Sequence, residues 1–203
     1  MSDATETAGS APDTRDPLLD HPAVTRVRQA LEAAGVTTEI VVLDEHARTA
    51  TAAAEQLGVE VAQIANSLVF AVPAPDAAAD GAEAHAGGED AANGENGENG
   101  ENGRRAVLVM TSGAHRVDLV SVAALLGVER LERADPDLVR RATGFAIGGV
   151  APVGHATPLQ TLVDVTLARH DEVWVAGGHP RTVFRTTYDQ LLLLTGGQAA
   201  EVA

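Results

Sequence analysis

No cysteine and no lysine occur among the 203 residues, and the aromatics amount to one tryptophan, one tyrosine and three phenylalanines. Without cysteine there are no disulfides, no thiolate metal sites and no cysteine nucleophile. So few rings argue against a broad base-stacking platform for nucleic acid. No apolar run approaches the roughly 18 residues needed to cross a bilayer. The first twenty residues are polar and acidic, with no basic-then-apolar pattern of an export signal. The simplest expectation is a soluble, cytoplasmic protein with no membrane or DNA partner.

The formal charge of −15 is unevenly spread. Residues 1–20 contribute −4 and residues 73–103 contribute −8, which leaves −3 for the remainder. The folded part is therefore near neutral and can carry a local basic face. All fourteen basic residues are arginine. Residues 93–103 repeat Asn, Gly and Glu, a composition with almost nothing to bury. Residues 1–20 are read as a disordered tail, 73–103 as a disordered acidic insertion, and 196–203 as a C-terminal tail. Within 21–195 lies one domain with enough chain for a sizeable core.

Apolar runs at Ser67–Val72 and Ala106–Met110 flank the insertion and read as buried strands, forming a long-looped hairpin or neighbours in a sheet. Further strands are expected at Glu39–Leu43, Val173–Ala176 and Val183–Thr186. Helix punctuation is clear. Pro22 opens a helix ending at Gly35, Thr49–Leu57 stops at Gly58, Asp118 caps one ending at Gly127, and Asp135-Pro136 opens another with Arg140 and Arg141 in its last turn. A last helix covers about Tyr188–Leu194. Strict alternation of strand and helix is absent, so the expected class is mixed α/β: a curved, barrel-like mixed sheet with helices packed outside.

The densest chemical signal is the run Thr143–His155, with four glycines in Gly144, Gly148, Gly149 and Gly154. Gly149 to Gly154 has the glycine spacing of a phosphate loop. The next residues are His155 and Ala156, not Lys and Ser/Thr, so a nucleoside-triphosphate site is excluded. What remains is a structural turn or a loop whose amides hold a carbonyl. None of the seven histidines falls into a metal-ligand spacing, and no cofactor is expected. Trp174, in an apolar strand, is expected in the core, as are Phe70, Phe145 and Phe184.

The loop Arg141–Gly154, with its Gly-x-x-x-Pro element from Gly148 to Pro152, resembles the signature loop of the YbaK/EbsC family of aminoacyl-tRNA deacylases. Other segments match in order: His21-Pro22-Ala23-Val24, Gln63–Phe70, Leu159–Asp164 and Val173–His179. The similarity spans residues 21–195 apart from the insertion. It implies a YbaK-like domain that hydrolyses the ester joining a wrong, small amino acid to tRNA. The partners implied are the acceptor end of a misacylated tRNA and an aminoacyl-tRNA synthetase.

For the site, the resemblance implies catalytic roles for Gly148, Gly149, Asn66 and Asp164, the first two positioning the ester carbonyl. It implies substrate contacts from Ser67, Thr143, Pro152, His155, Gly177, Gly178 and His179, with water as the attacking group. His155 and His179 flank the expected pocket, although ordinary hydrogen-bonding histidines are the simpler reading. The family's lysine before Ser/Thr-Leu is Asn66 here. Asparagine donates a hydrogen bond but brings no charge; Arg48 or Arg116 would have to supply one. Two readings stay open: a trans-editing deacylase, and a non-catalytic module that binds a tRNA end, an aminoacyl-adenosine-like ligand or a protein. A small-molecule hydrolase is a distant third.

Overall fold

The computed structural model describes residues 16–73 and 104–203. The Asn-Gly-Glu repeat and residues 1–15 lie outside the described residues. The helices form where the punctuation put them. In α1 (Pro22–Ala33) the His21 Nδ1 accepts from the Ala23 N–H, and Ala23, Val24, Val27 and Leu31 are buried at helical spacing. Thr49 caps α2 (Ala50–Leu57), Asp118 caps α3 (Leu119–Leu126), Asp135 caps α4 (Pro136–Thr143) and Thr187 caps α5 (Tyr188–Thr195). Gly58, Gly127, Gly144 and Gly196 close the last four in the left-handed conformation. Among the described residues no helix is long and apolar enough to cross a membrane.

The strands among the described residues fall into two sheets. One holds β1 (Ile40–Val42), β7 (Thr182–Thr186) and β6 (Val173–Ala176), all antiparallel, in the order β1-β7-β6. The other has the order β4-β2-β3-β5-β8, with β2 (Ala65–Val72), β3 (Arg105–Ser112), β4 (Glu132–Arg133), β5 (Gln160–Asp164) and β8 (Gln198–Ala200). Here β2–β3 and β2–β4 are antiparallel, whereas β3–β5 and β5–β8 are parallel, so the sheet is mixed as expected. The flanks of the insertion form a hairpin, Val72 opposite Arg105. A parallel bridge between Ile64 and Trp174 ties the sheets together. The expected single curved sheet is thus divided in two, and the paired strands among the described residues do not close a barrel.

Both faces of the five-stranded sheet are covered, which is why β3 is buried from Ala106 to Ser112 and reads as a continuous apolar run. On one face Phe70, Val107, Val109 and Leu162 meet Val122 and Ala123 of α3. On the other, Leu108, Met110 and Val163 pack with α1, Phe145, Val150 and Phe184. Two boundaries move. Residues 196–203 are not a tail: β8 pairs with β5, Val202 is fully buried, and its carbonyl accepts from the Asp118 N–H. The N-terminal tail stops short of residue 20, because Pro17–Asp20 form a 3-10 turn and Leu19 packs against the core.

Candidate functional site

Strand β2 leaves the Ile64–Trp174 bridge at one end and meets β4 only at Phe70 and Ala71 near the other. Between those points its outer edge borders a cleft of about 390 Å³, continuous with a smaller apolar lobe of about 160 Å³. Ser67, Leu68, Arg133, Ile147, Gly148 and Val150 line both parts. Asn66, Trp174, Pro180 and Arg48 line the larger one, with Ala50 and Ala53 of α2. Val139, Ala134 and Phe70 line the smaller.

The glycine loop forms one wall and is held from behind. Arg26 donates from its guanidinium to the Gly144 carbonyl (2.9 Å) and lies 4.6 Å from the centre of the Phe145 ring. A Cβ on Gly154 would sit 3.3 Å from the Arg26 carbonyl, so the loop's two ends straddle this one residue. Farther along, the Gly149 N–H donates to the Ala146 carbonyl and turns the chain at Gly148, whose φ is +88°. Gly148 is exposed at the cleft, and its N–H makes no main-chain hydrogen bond among the described residues. Gly149 is buried, and a Cβ there would come within 2.9 Å of the His179 backbone. The Asn66 carboxamide, half-buried in the opposite wall, has no hydrogen-bond partner among the described residues either.

Of the residues singled out in the sequence, Asn66, Ser67 and Gly148 meet at the cleft. The Ser67 hydroxyl is turned to the Met110 sulfur (3.3 Å), which leaves its main chain on the cleft side. The others stand behind. Thr143 is fully buried, donating to the Val139 carbonyl and accepting from the Phe145 N–H. Pro152 is buried. His155 Nε2 lies 2.7 Å from the Ala151 carbonyl, which makes that nitrogen the donor; burial, then the nearby Arg26 charge, hold its pKa below the ordinary value against the effect of that carbonyl. Gly177 and Gly178 are buried in the β6–β7 turn, Gly178 against the Ala23 carbonyl of α1. His179 accepts at Nδ1 from the Arg181 N–H and lies 5.3 Å, ring to ring, from His21. Its pKa is lowered by burial first, then by His21, Arg181 and His46.

Asp164 lies outside the cleft. It is 1% exposed and accepts from the Thr166 side chain and main chain, the Thr111 hydroxyl and the Ser112 N–H, with His115 Nδ1 3.0 Å away. Burial pushes its carboxyl up, but bonds from Thr166, His115 and Ser112 outweigh that and hold it below the ordinary carboxylate range. It joins the ends of β3 and β5. Arg116 does not line the cleft, whereas Arg48 does.

Sequence reasoning missed Arg133, Ile147 and Pro180 as cleft residues and put Trp174 in the core. Trp174 is only half-buried and lines the cleft, because β6 ends the three-stranded sheet and touches β2 at one bridge instead of lying under a layer. Arg133 reaches the cleft by pairing of β4 with β2, a contact with no local sequence signal. The exposed Ile147 inside a glycine run was the available clue.

Residues 44–194 match the model of the aminoacyl-tRNA editing domain. The chain belongs to that family. A candidate trans-editing enzyme for prolyl-tRNA synthetase is 41% identical, aligning over 89% of this chain and 96% of its own with a TM-score of 0.69. A protein from computational grafting of epitope backbones onto scaffolds is 39% identical over 90% of this chain and 97% of its own, with a TM-score of 0.70. A hypothetical protein at 22% identity and TM-score 0.67, covering 87% and 98%, shares the fold. The editing-domain match includes α2, the edge of β2, the glycine loop and the β6–β7 turn, so every cleft residue except Leu43 lies within it.

Proposed function

We propose that this editing-domain protein is a trans-acting aminoacyl-tRNA deacylase, cleaving the ester of a misacylated tRNA that carries a small amino acid. The observation that carries the reading is a pair of donors with no partner among the described residues, the Gly148 N–H and the Asn66 carboxamide, lining one cleft in a domain of the editing family. Ester hydrolysis needs donors where the carbonyl oxygen gains charge, and an amide kept free of internal bonds is set for that. Water adds to the ester carbonyl carbon and the bond to the ribose oxygen breaks. The amino acid leaves, and the tRNA regains its terminal hydroxyl. No side-chain nucleophile is required. The Gly149 N–H is already spent on Ala146, so Gly148 rather than Gly149 is the main-chain donor.

Arg48 and Arg133 bring positive charge to a cleft where Asn66 brings none, and phosphates of the acceptor end are its natural counterpart. The setting is the cytoplasm, beside an aminoacyl-tRNA synthetase. Incubating purified alanyl-, seryl- and cysteinyl-tRNAs with the protein tests this: ester loss above buffer for at least one is expected, and rates equal to buffer across the panel would sink it. Asn66→Ala should then lower kcat by about 10- to 100-fold with little change in melting temperature, since the side chain has no partner to lose.

A second reading is favoured by Asn66 itself. A non-catalytic module would bind the acceptor end without cleaving it, and Asn66→Lys would then create activity where the natural chain has none.

A further inference from the structure

Among the described residues strand β2 has a gap in its pairing on the outer edge, and that gap faces the cleft. In a strand, the N–H and C=O of a residue leave on the same side and successive residues alternate. The Val69 carbonyl accepts from Ala134 beyond β4, so Val69 points away from β3, and by alternation Ser67 does the same. At the other end Ile64 donates to Val61 and accepts from Gly113, so its bridge to Trp174 runs through the main chain of its neighbours. Ser67 lies between these two attachments, with no strand opposite it among the described residues, and lines both lobes of the cleft. A main-chain donor and acceptor side by side at a strand edge are a template for a ligand with the reverse pattern.

Few parts of an aminoacylated tRNA end have that pattern. A phosphate or an ester carbonyl only accepts, and an α-ammonium only donates. One hydroxyl of the terminal ribose is esterified, and the free one donates and accepts through a single oxygen, not through two atoms side by side. The adenine edge, with N1 as acceptor beside the N6 amino donor, matches both Ser67 groups in one plane. Leu68 and Ile147, 37% and 58% exposed despite their size, line the same cleft and offer apolar surface for the ring faces. We infer that the open edge of β2 reads the terminal base: the Ser67 N–H donates to adenine N1, and the Ser67 carbonyl accepts from the N6 amino group. This rests on the deacylase reading and adds a base-specificity element to it.

The test changes the ligand and leaves the protein intact. Alanylated acceptor-stem RNAs ending in adenosine, purine riboside, cytidine or guanosine are compared by kcat/KM. Purine riboside lacks the amino group, and a loss of about tenfold is expected for one hydrogen bond. Guanosine opposes donor to donor and acceptor to acceptor, for an expected loss of about a hundredfold. Cytidine keeps the adenosine pattern and should exceed guanosine. Equal values at all four ends, or guanosine at or above purine riboside, would overturn the inference while the deacylase reading stands. If full-length alanyl-, seryl- and cysteinyl-tRNAs ending in adenosine also stay intact, both fall together.

Discussion

Two adjacent glycines of the loop answer to different constraints. Gly148 has room: a Cβ would lie 3.4 Å from His46 Nε2 and 3.8 Å from Pro180, ordinary contact distances. Its constraint is the backbone angle, and alanine at φ +88° is strained by about 1–2 kcal/mol. Gly149 needs no unusual angle but has no room, with the His179 backbone 2.9 Å from a Cβ. Gly149→Ala should therefore cost more stability, about 2–3 kcal/mol by overpacking against main chain that has little freedom to shift. Gly148→Ala should cost less stability and more activity, because the strain falls on the amide at the cleft. Urea midpoints beside deacylation rates would check the split, and the reverse order would refute it. Composition flagged both glycines equally; only packing separates them.

At the scale of elements, the loop's position depends on α1. Arg26→Met keeps an apolar stem but removes the bond to the Gly144 carbonyl and the charge over Phe145. A loss of about 1–3 kcal/mol is expected, with a fall in kcat as Gly148 loses its fixed place. Unchanged stability and rate would show that the loop holds itself. Strand β8 makes a second case. Deleting residues 198–203 removes a parallel partner of β5, the buried Val202 and a bond to the cap of α3. Circular dichroism should show loss of cooperative unfolding or a melting temperature lower by ten degrees or more, at roughly 4–8 °C per kcal/mol for a small domain. The helix ends were legible because Thr49, Asp118 and Asp135 cap through local bonds. The short β8 was not, since Gln198-Ala199-Ala200 has no strand pattern and gains its structure from β5.

For the whole molecule, the lowered pKa values of His155 and His179 contribute to a loss of stability on the acid side. Each folded pKa lies below the ordinary 6.5, so the unfolded chain binds protons first as pH falls. Their contribution is intact above pH 6.5 and is lost as pH drops from there through the lowered folded values. Asp164 acts in the same direction at lower pH, below the ordinary 3.8. Urea midpoints should fall between pH 7 and 5, and His155→Gln should flatten that slope; an unchanged slope would remove His155 as its source. The sequence by itself determined the helices with their caps, the central buried strands and the place of the glycine loop, because those depend on periodicity and bonds within a few residues. Tertiary structure alone decided that the strands divide into two sheets, that Arg133 and Trp174 turn into the cleft, and that Asp164 turns away from it. Each of these follows from pairing between segments far apart in the chain, and spacing along a single segment carries no information about its partner.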